Sequence, residues 1–352
     1  MNLLYYVTLV PFAVSLVITF SIILLVRTHS IGMDVPDDAR RMHQNPTPRI
    51  GGISIALGLL LAIPFLELDA RISGFLLGAA VMFAVGLIDD LHGLRWKVKM
   101  LASVTAISLL MFYSGVRIES LGHIFGSGEL QLGIFSVPFT FFAIIGIVNA
   151  INMIDGLNGL ASGIAIIAFS FLAYFSYIAG DMPLFYLSMA LSAAVTGFVI
   201  FNFPRGEIFL GDSGSMLIGF SIAVISVLLF QSGTSNMEPI IPVLIMAIPI
   251  YDTLRVISVR MLKRRNPFHA DQEHLHHILV IYCGLGKNSV TLLLWAMTAA
   301  FGAMAVYLQD GFALLFTLLF GYTIITLIFF SIMRLMKSAK KDWDSTDLVD
   351  TE

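Results

Sequence analysis

Residues 72–99 read ISGFLLGAAVMFAVGLIDDLHGLRWKVK: a long apolar run that ends abruptly on two adjacent carboxylates, Asp89 and Asp90, followed by a basic stretch. A helix rising about 1.5 Å per residue needs about 20 mostly apolar residues to cross roughly 30 Å of hydrocarbon. The run over 72–88 therefore predicts a transmembrane helix, and the change of polarity puts the aspartates at a membrane face.

The same window applied along the 352 residues gives eleven spans: 3–26, 50–67, 72–88, 98–114, 136–154, 157–179, 184–203, 214–231, 239–258, 288–307 and 312–333. Since 136–154 and 157–179 nearly touch, ten is the alternative count. Composition agrees, at 58% hydrophobic and 12% charged with a mean hydropathy of +0.90, where soluble domains run at roughly 25% charged. The expected fold class is an all-α polytopic membrane protein. Leu3–Val26 is too long, and too weakly charged at its start, for a cleavable leader, and reads as a retained span. The single cysteine, Cys283, excludes an internal disulfide and a cysteine-based metal cluster.

Charge sets the expected orientation. Among the lysines and arginines, only Arg71 and Arg117 fall in loops on one side of the membrane; the rest share the side of Arg27, Arg49, Arg95, Lys97 and Lys263. The positive-inside rule makes that side cytoplasmic, with the N-terminus periplasmic and the C-terminus cytoplasmic. A single integral-membrane domain over 1–336, followed by a charged cytoplasmic tail at 337–352, is the expected organisation. The polar loops, 27–49, 89–97, 155–158, 204–213 and 259–287, lie on the cytoplasmic side, and an active site is expected to be built from them.

Ionisable groups at membrane depth are costly and mark function. Besides Asp89 and Asp90, Asp155 sits in NAINMIDGLNG (149–159) and Asp212 in FLGDSGS (209–215), both at span ends on the same face. Alone, each reads equally well as a helix cap or interfacial residue. Their recurrence on one face points to a site. Hard divalent cations such as Mg²⁺ take carboxylate and carbonyl oxygens and keep substrate phosphate as a further ligand. Lys97 and Lys99 follow the aspartate pair and could neutralise phosphate, or simply anchor the membrane surface. No G-x-x-x-x-G-K-[ST] is present, so a P-loop is unsupported.

The late loop RNPFHADQEHLHH (265–277) holds His269, His274, His276 and His277. Donation to phosphate or sugar oxygens is the favoured use, with a zinc site as the alternative; the order lacks H-E-x-x-H. Asp252 and Arg255 are spaced i, i+3 and read as an ion pair on one helix. A secondary transporter is the rival class, but it would show midplane charges and internal repeats.

Five ordered segments carry a resemblance: GMDVPDDARRMHQNPTPRIGG (32–52), GLIDDLHGLRWKVK (86–99), NAINMIDGLNGLASG (149–163), FNFPRGEIFLGDSGSMLIGF (201–220) and PFHADQEHLHH (267–277). The chain resembles the polyprenyl-phosphate N-acetylhexosamine-1-phosphate transferases, most closely their bacterial undecaprenyl-phosphate N-acetylglucosamine branch. The resemblance implies that undecaprenyl phosphate attacks the β-phosphorus of UDP-N-acetylglucosamine at the cytoplasmic face of the bacterial inner membrane. UMP leaves, and the lipid-diphosphate-sugar primes O-antigen, common-antigen or wall-polymer synthesis.

The family pattern implies Asp89, Asp90 and Asp155 as catalytic residues, and Asp212 with Asn152 as ligands of Mg²⁺, for which Mn²⁺ could substitute. Lys97, Lys99, Asn202, Phe209, His274, His276 and His277 are implied in substrate binding, Phe209 by stacking on uracil. The implied partners are the two substrates and the bilayer, with no nucleic acid; a homodimer is left open. One position departs: many bacterial members read D-G-L-D-G, whereas this chain has Asn158 in DGLNG. The histidine order H-L-H-H, in place of three in a row, favours N-acetylglucosamine over N-acetylmuramoyl-pentapeptide.

Overall fold

The computed structural model describes residues 3–29, 33–34, 47–126, 128–231, 237–264, 274–308 and 310–346. They are helical almost throughout, as hydrocarbon demands, because only a helix or a closed barrel satisfies every backbone group without water. The helices are α1 (Leu3–His29), α2 (Gly52–Ala62), α3 (Ala70–His92), α4 (Trp96–Ser114), α5 (Ser136–Ile154), α6 (Leu160–Ile178) and α7 (Met182–Asn202). They continue as α8 (Gly211–Gln231), α9 (Ile241–Ile245), α10 (Ala247–Leu262), α11 (Leu275–Ile281), α12 (Lys287–Tyr307) and α13 (Gly311–Thr346).

Among the described residues, nine helices are long and apolar enough to cross a membrane: α1, α3 to α8, α12 and α13. The protein is a polytopic membrane protein. Two of the eleven expected spans come out differently, and proline explains both. The 50–67 segment ends its helix at Ala62 and closes with a 3₁₀ turn over Ile63–Phe65, since Pro64 has no N–H to continue the ladder. The 239–258 segment breaks at Met246 into α9 and α10, ahead of Pro249, whose missing N–H would otherwise pair with Ile245. At the C-terminus, the backbone of α13 runs past residue 336 to Thr346, so the stretch expected as a separate tail begins as helix.

Nearly every residue of α8 is buried, and α2, α3, α5 and α6 surround it. Apolar area drives little association in lipid, so close backbone packing must hold these helices together. Gly86 shows how: a Cβ there would stand 2.6 Å from the Asp212 carbonyl oxygen and from Ser213 Cα. This contact brings the last turn of α3 against the first turn of α8.

The two ends of the bundle differ in chemistry. At the end where α3 and α7 begin, Asp69 accepts the Ile72 N–H at 2.7 Å, capping α3. Arg71 there pairs with Asp69 at 2.8 Å and Asp181 at 2.6 Å. At the other end, α3, α5 and α7 terminate and α4, α6 and α8 begin. The acidic residues converge there.

Candidate active site

Asp89 and Asp90 lie inside the last turn of α3, which continues to His92 instead of stopping at the apolar boundary. Adjacent residues on a helix point about 100° apart, so the two carboxylates face different neighbours. Asp90 turns toward α8. Its Oδ1 accepts the Asp212 N–H at 2.7 Å, and its Oδ2 accepts the Ser213 N–H at 2.9 Å and the Ser213 hydroxyl at 2.6 Å. A carboxylate at a helix start satisfies otherwise orphan N–H groups and complements the helix dipole. Gly211 makes the fit possible: its φ is +72°, and a Cβ would lie 2.6 Å from Asp90 Oδ2.

Asp89 turns toward α4. One oxygen accepts the Leu94 N–H at 2.6 Å, and the other lies 2.7 Å from Lys99 Nζ. Lys99 also contacts Asp212 Oδ2, so one ammonium bridges the α3 and α8 carboxylates. Arg49 approaches Asp212 from the opposite side, its Nη2 3.8 Å from Oδ1. On α5, Asn152 donates to the Ser215 hydroxyl at 2.9 Å, facing the same first turn of α8.

Asp155 ends α5, and its carboxylate accepts no hydrogen bond among the described residues. Burial of that carboxylate pushes its pKa up to about 7; the negative charges of Asp212 and Asp90 add to the rise, and Arg49 opposes it. The turn that carries it is held from below. Asn202 Oδ1 accepts the Gly159 N–H at 2.7 Å, while its Nδ2 donates to Ile208 O at 2.7 Å. From α12, Trp295 Nε1 lies 3.2 Å from Gly159 O and Thr291 donates to Asn158 O at 3.3 Å. Asn158 itself donates to Pro204 O at 3.4 Å, a bond that an aspartate there could not make.

The histidines reach this turn from α11. A Cβ on Gly156 would stand 2.1 Å from His276 Nε2, so the ring lies directly on the turn after Asp155. His276 stacks between His274 and His277, with ring centroids 5.7 Å and 4.2 Å away. It is 1% exposed, and neither ring nitrogen has a hydrogen-bond partner among the described residues. Burial, reinforced by His277, drives its pKa down to about 3.

Asp89, Asp90, Lys99, Asn152, Asp155 and Asp212 thus form one continuous group, with His274, His276 and His277 at its margin. Phe209 is half-buried; its backbone pairs with Pro48 and Gly51 at 2.8 and 3.0 Å. Asn202 spends its amide inside the protein, beneath the turn. Lys97 stands apart: it is exposed, with its ammonium 5.9 Å from the neighbouring Trp96 ring. His269 lies outside the described residues, as does most of the 27–49 loop. Arg49, Ser213 and Ser215 belong to the site but were not singled out from sequence. Only Arg49 had a signal, as the one cation in TPRIGG.

Among the described residues, four carboxylates here face two cations, Lys99 and Arg49, an excess of negative charge that suits a hard cation. Among the described residues, no three His, Cys, Asp or Glu stand close enough to cage an ion unaided. An ion bound here would need oxygens from substrate or water, which fits a cation that works as a partner of phosphate.

A family model described as glycosyl transferase family 4 matches residues 72–230, from the third residue of α3 to the last but one of α8. A probable undecaprenyl-phosphate N-acetylglucosaminyl 1-phosphate transferase of Bacillus subtilis is 30% identical over 306 residues, covering 86% of this chain and 85% of its own. The chain belongs to the polyprenyl-phosphate N-acetylhexosamine-1-phosphate transferase family. As a member of that family it is a phosphoglycosyltransferase. The undecaprenyl-phosphate α-N-acetylglucosaminyl 1-phosphate transferase of Yersinia pestis is 29% identical over 313 residues, 84% of each chain. The like-named protein of Escherichia coli K12 is 28% identical over 285 residues, 79% of this chain and 77% of its own. The acidic group of this transferase lies wholly within the span of the family match.

Proposed function

We propose that this transferase moves N-acetylglucosamine 1-phosphate from UDP-N-acetylglucosamine to undecaprenyl phosphate, with release of UMP. The observation that carries the reading is Lys99 bridging Asp89 and Asp212 inside a group of four carboxylates at one end of the bundle. Such a floor matches a reaction whose two partners are both phosphates. The relatives' names supply undecaprenyl phosphate and the N-acetylglucosaminyl 1-phosphate group; UDP as its carrier is what the ordered motifs imply.

An oxygen of the lipid phosphate attacks the β-phosphorus of the donor. The bond from that phosphorus to the bridging oxygen breaks, and UMP departs with the electron pair. A phosphate monoester has a second pKa of about 6 and is already largely dianionic at neutral pH. Alignment and charge neutralisation are therefore the larger tasks. Asp212, Asp89 and Asn152 would hold Mg²⁺ or Mn²⁺, which when bound offsets diphosphate charge and polarises the phosphorus. Lys99, displaced from between its two aspartates, would turn its ammonium to the diphosphate. Asp90 keeps the first turn of α8 in register. Asp155, which accepts no hydrogen bond among the described residues, would orient the acceptor or take its residual proton. Phe209 at the rim offers a ring face to uracil, and the histidine segment meets the sugar and phosphates.

The basic loops support a cytoplasmic site in the bacterial inner membrane, with the N-terminus periplasmic and the interrupted segments over 50–67 and 239–258 completing eleven crossings. The product would prime an envelope polysaccharide. The test is donor labelled at the β-phosphate: label should reach the lipid with one equivalent of UMP released. Transfer from a different UDP-N-acetylhexosamine alone would keep the reaction and replace the sugar. Exchange of UMP into donor without any lipid would instead favour an aspartyl-phosphate route.

A further inference from the structure

We propose that Asp252 is a positioning residue that clamps the histidine segment onto the acidic site. Asp252 lies in the second turn of α10 and is 2% exposed. Its Oδ1 accepts from Arg255 Nη2 at 3.0 Å and from the Leu275 N–H at 2.8 Å; its Oδ2 lies 2.8 Å from His274 Nδ1. A buried carboxylate must be paired, and Arg255, one turn along the same helix, already supplies a full countercharge. The bonds to His274 and Leu275 do something further. They join α10 to α11 across 22 and 23 positions of sequence.

α11 has seven residues, Leu275–Ile281, too few to hold a helix without outside contacts. Asp252 supplies such a contact at its first N–H. An ionised carboxylate only accepts, so the shared proton sits on His274 Nδ1, and His274 Nε2 keeps no hydrogen-bond partner among the described residues. From that fixed start, one short step along α11 sets the His276 ring against Gly156, beside Asp155. Arg255 extends the connection outward, its guanidinium 4.9 Å from the Phe329 ring of α13. The sequence alone offers only the local Asp252–Arg255 pair; the partners that give Asp252 its second role arrive from another segment. The consequence for catalysis rests on the reading above that the histidines meet the donor.

The test compares wild type with Asp252→Asn, using the full chain purified in detergent. Without any substrate, hydrogen exchange at the amides of 275–281 should quicken about tenfold, while α3 and α8 keep their protection. In transfer assays, KM for UDP-N-acetylglucosamine should rise about tenfold with kcat within about threefold, the mark of lost binding geometry. In the exchange measurement, adding His274→Ala to Asp252→Asn should quicken 275–281 little further, because both act on that segment through one contact. Unchanged exchange over 275–281, or full additivity of the two substitutions, would overturn the clamp. Faster exchange in a protein whose wild type transfers nothing from this donor would uphold the clamp and sink the donor reading. Should Asp252→Asn fail to fold, His274→Ala keeps the Asp252–Arg255 pair and must loosen the same amides; intact protection there would overturn the proposal as well.

Discussion

The Asp90 carboxylate accepts the backbone N–H of Asp212 at 2.7 Å, so two acidic residues that would repel through their side chains are joined through the main chain. Asp90 thus holds the first turn of α8, while Asp89 faces Lys99.

Replacing Asp90 by alanine removes acceptors for two helix N–H groups and a hydroxyl. The expected loss is about 1–2 kcal/mol of stability, with Asp90→Asn retaining part of it. Thermal melts in detergent check this. Asp89→Asn should melt close to wild type while losing transfer, since Asp89 binds only one backbone N–H.

Lys99→Met removes the ammonium that spans Asp89 and Asp212. Transfer should fall at least about 100-fold, or about 2.7 kcal/mol of transition-state stabilisation. Cation affinity should move the opposite way and tighten, because the competing internal charge is gone. Mn²⁺ binding followed by electron paramagnetic resonance separates the two effects. Lys97→Met, by contrast, should leave both nearly unchanged.

Gly86→Ala places a methyl group 2.6 Å from the Asp212 carbonyl. Separating α3 from α8 to admit it should cost about 1–3 kcal/mol, the usual range for overpacking. Because the displaced atoms carry the site, transfer should drop more than stability alone explains, which kinetics on the folded fraction will show.

The pH dependence of stability should expose His276. Its pKa falls from an ordinary 6.5 to about 3 in the folded protein, where it faces His277, Asp252, His274 and Arg255. Between those values the unfolded chain binds a proton that the folded chain refuses, so stability declines as pH falls. The penalty at pH 5 is on the order of 2 kcal/mol. Asp155, raised to about 7, pulls the opposite way. The His276 contribution is therefore read as a difference in parallel melts: between pH 7.5 and pH 5, His276→Gln should gain on the order of 2 kcal/mol of stability relative to wild type.

Much of this was legible in the sequence because lipid is an unforgiving solvent. Asp89, Asp90, Asp155 and Asp212 stand out against apolar runs, and the structure brings all four to one end. Lys97 and Lys99 were inseparable: two positions apart on a helix means about 200° of rotation, so only one can face the aspartates, and nothing in WKVK says which. Pro64 and Pro249 were visible, yet hydropathy windows ignore the missing N–H that breaks their helices. Asn202 entered only through the family resemblance, as a substrate-binding residue, because its use beneath the Gly159 turn needs a partner 43 positions away. Arg255 was readable beside Asp252 at helical spacing, whereas His274 comes to Asp252 only through folding.

The most direct measurement is transfer of radiolabelled sugar phosphate from UDP-N-acetylglucosamine to undecaprenyl phosphate, in Mg²⁺ and in EDTA, for wild type and Asp212→Asn. Lipid-linked product that requires Mg²⁺ and vanishes in the folded variant is the predicted result. Undiminished product in EDTA, or from Asp212→Asn, would contradict the assignment of the acidic group as the site where phosphate meets metal.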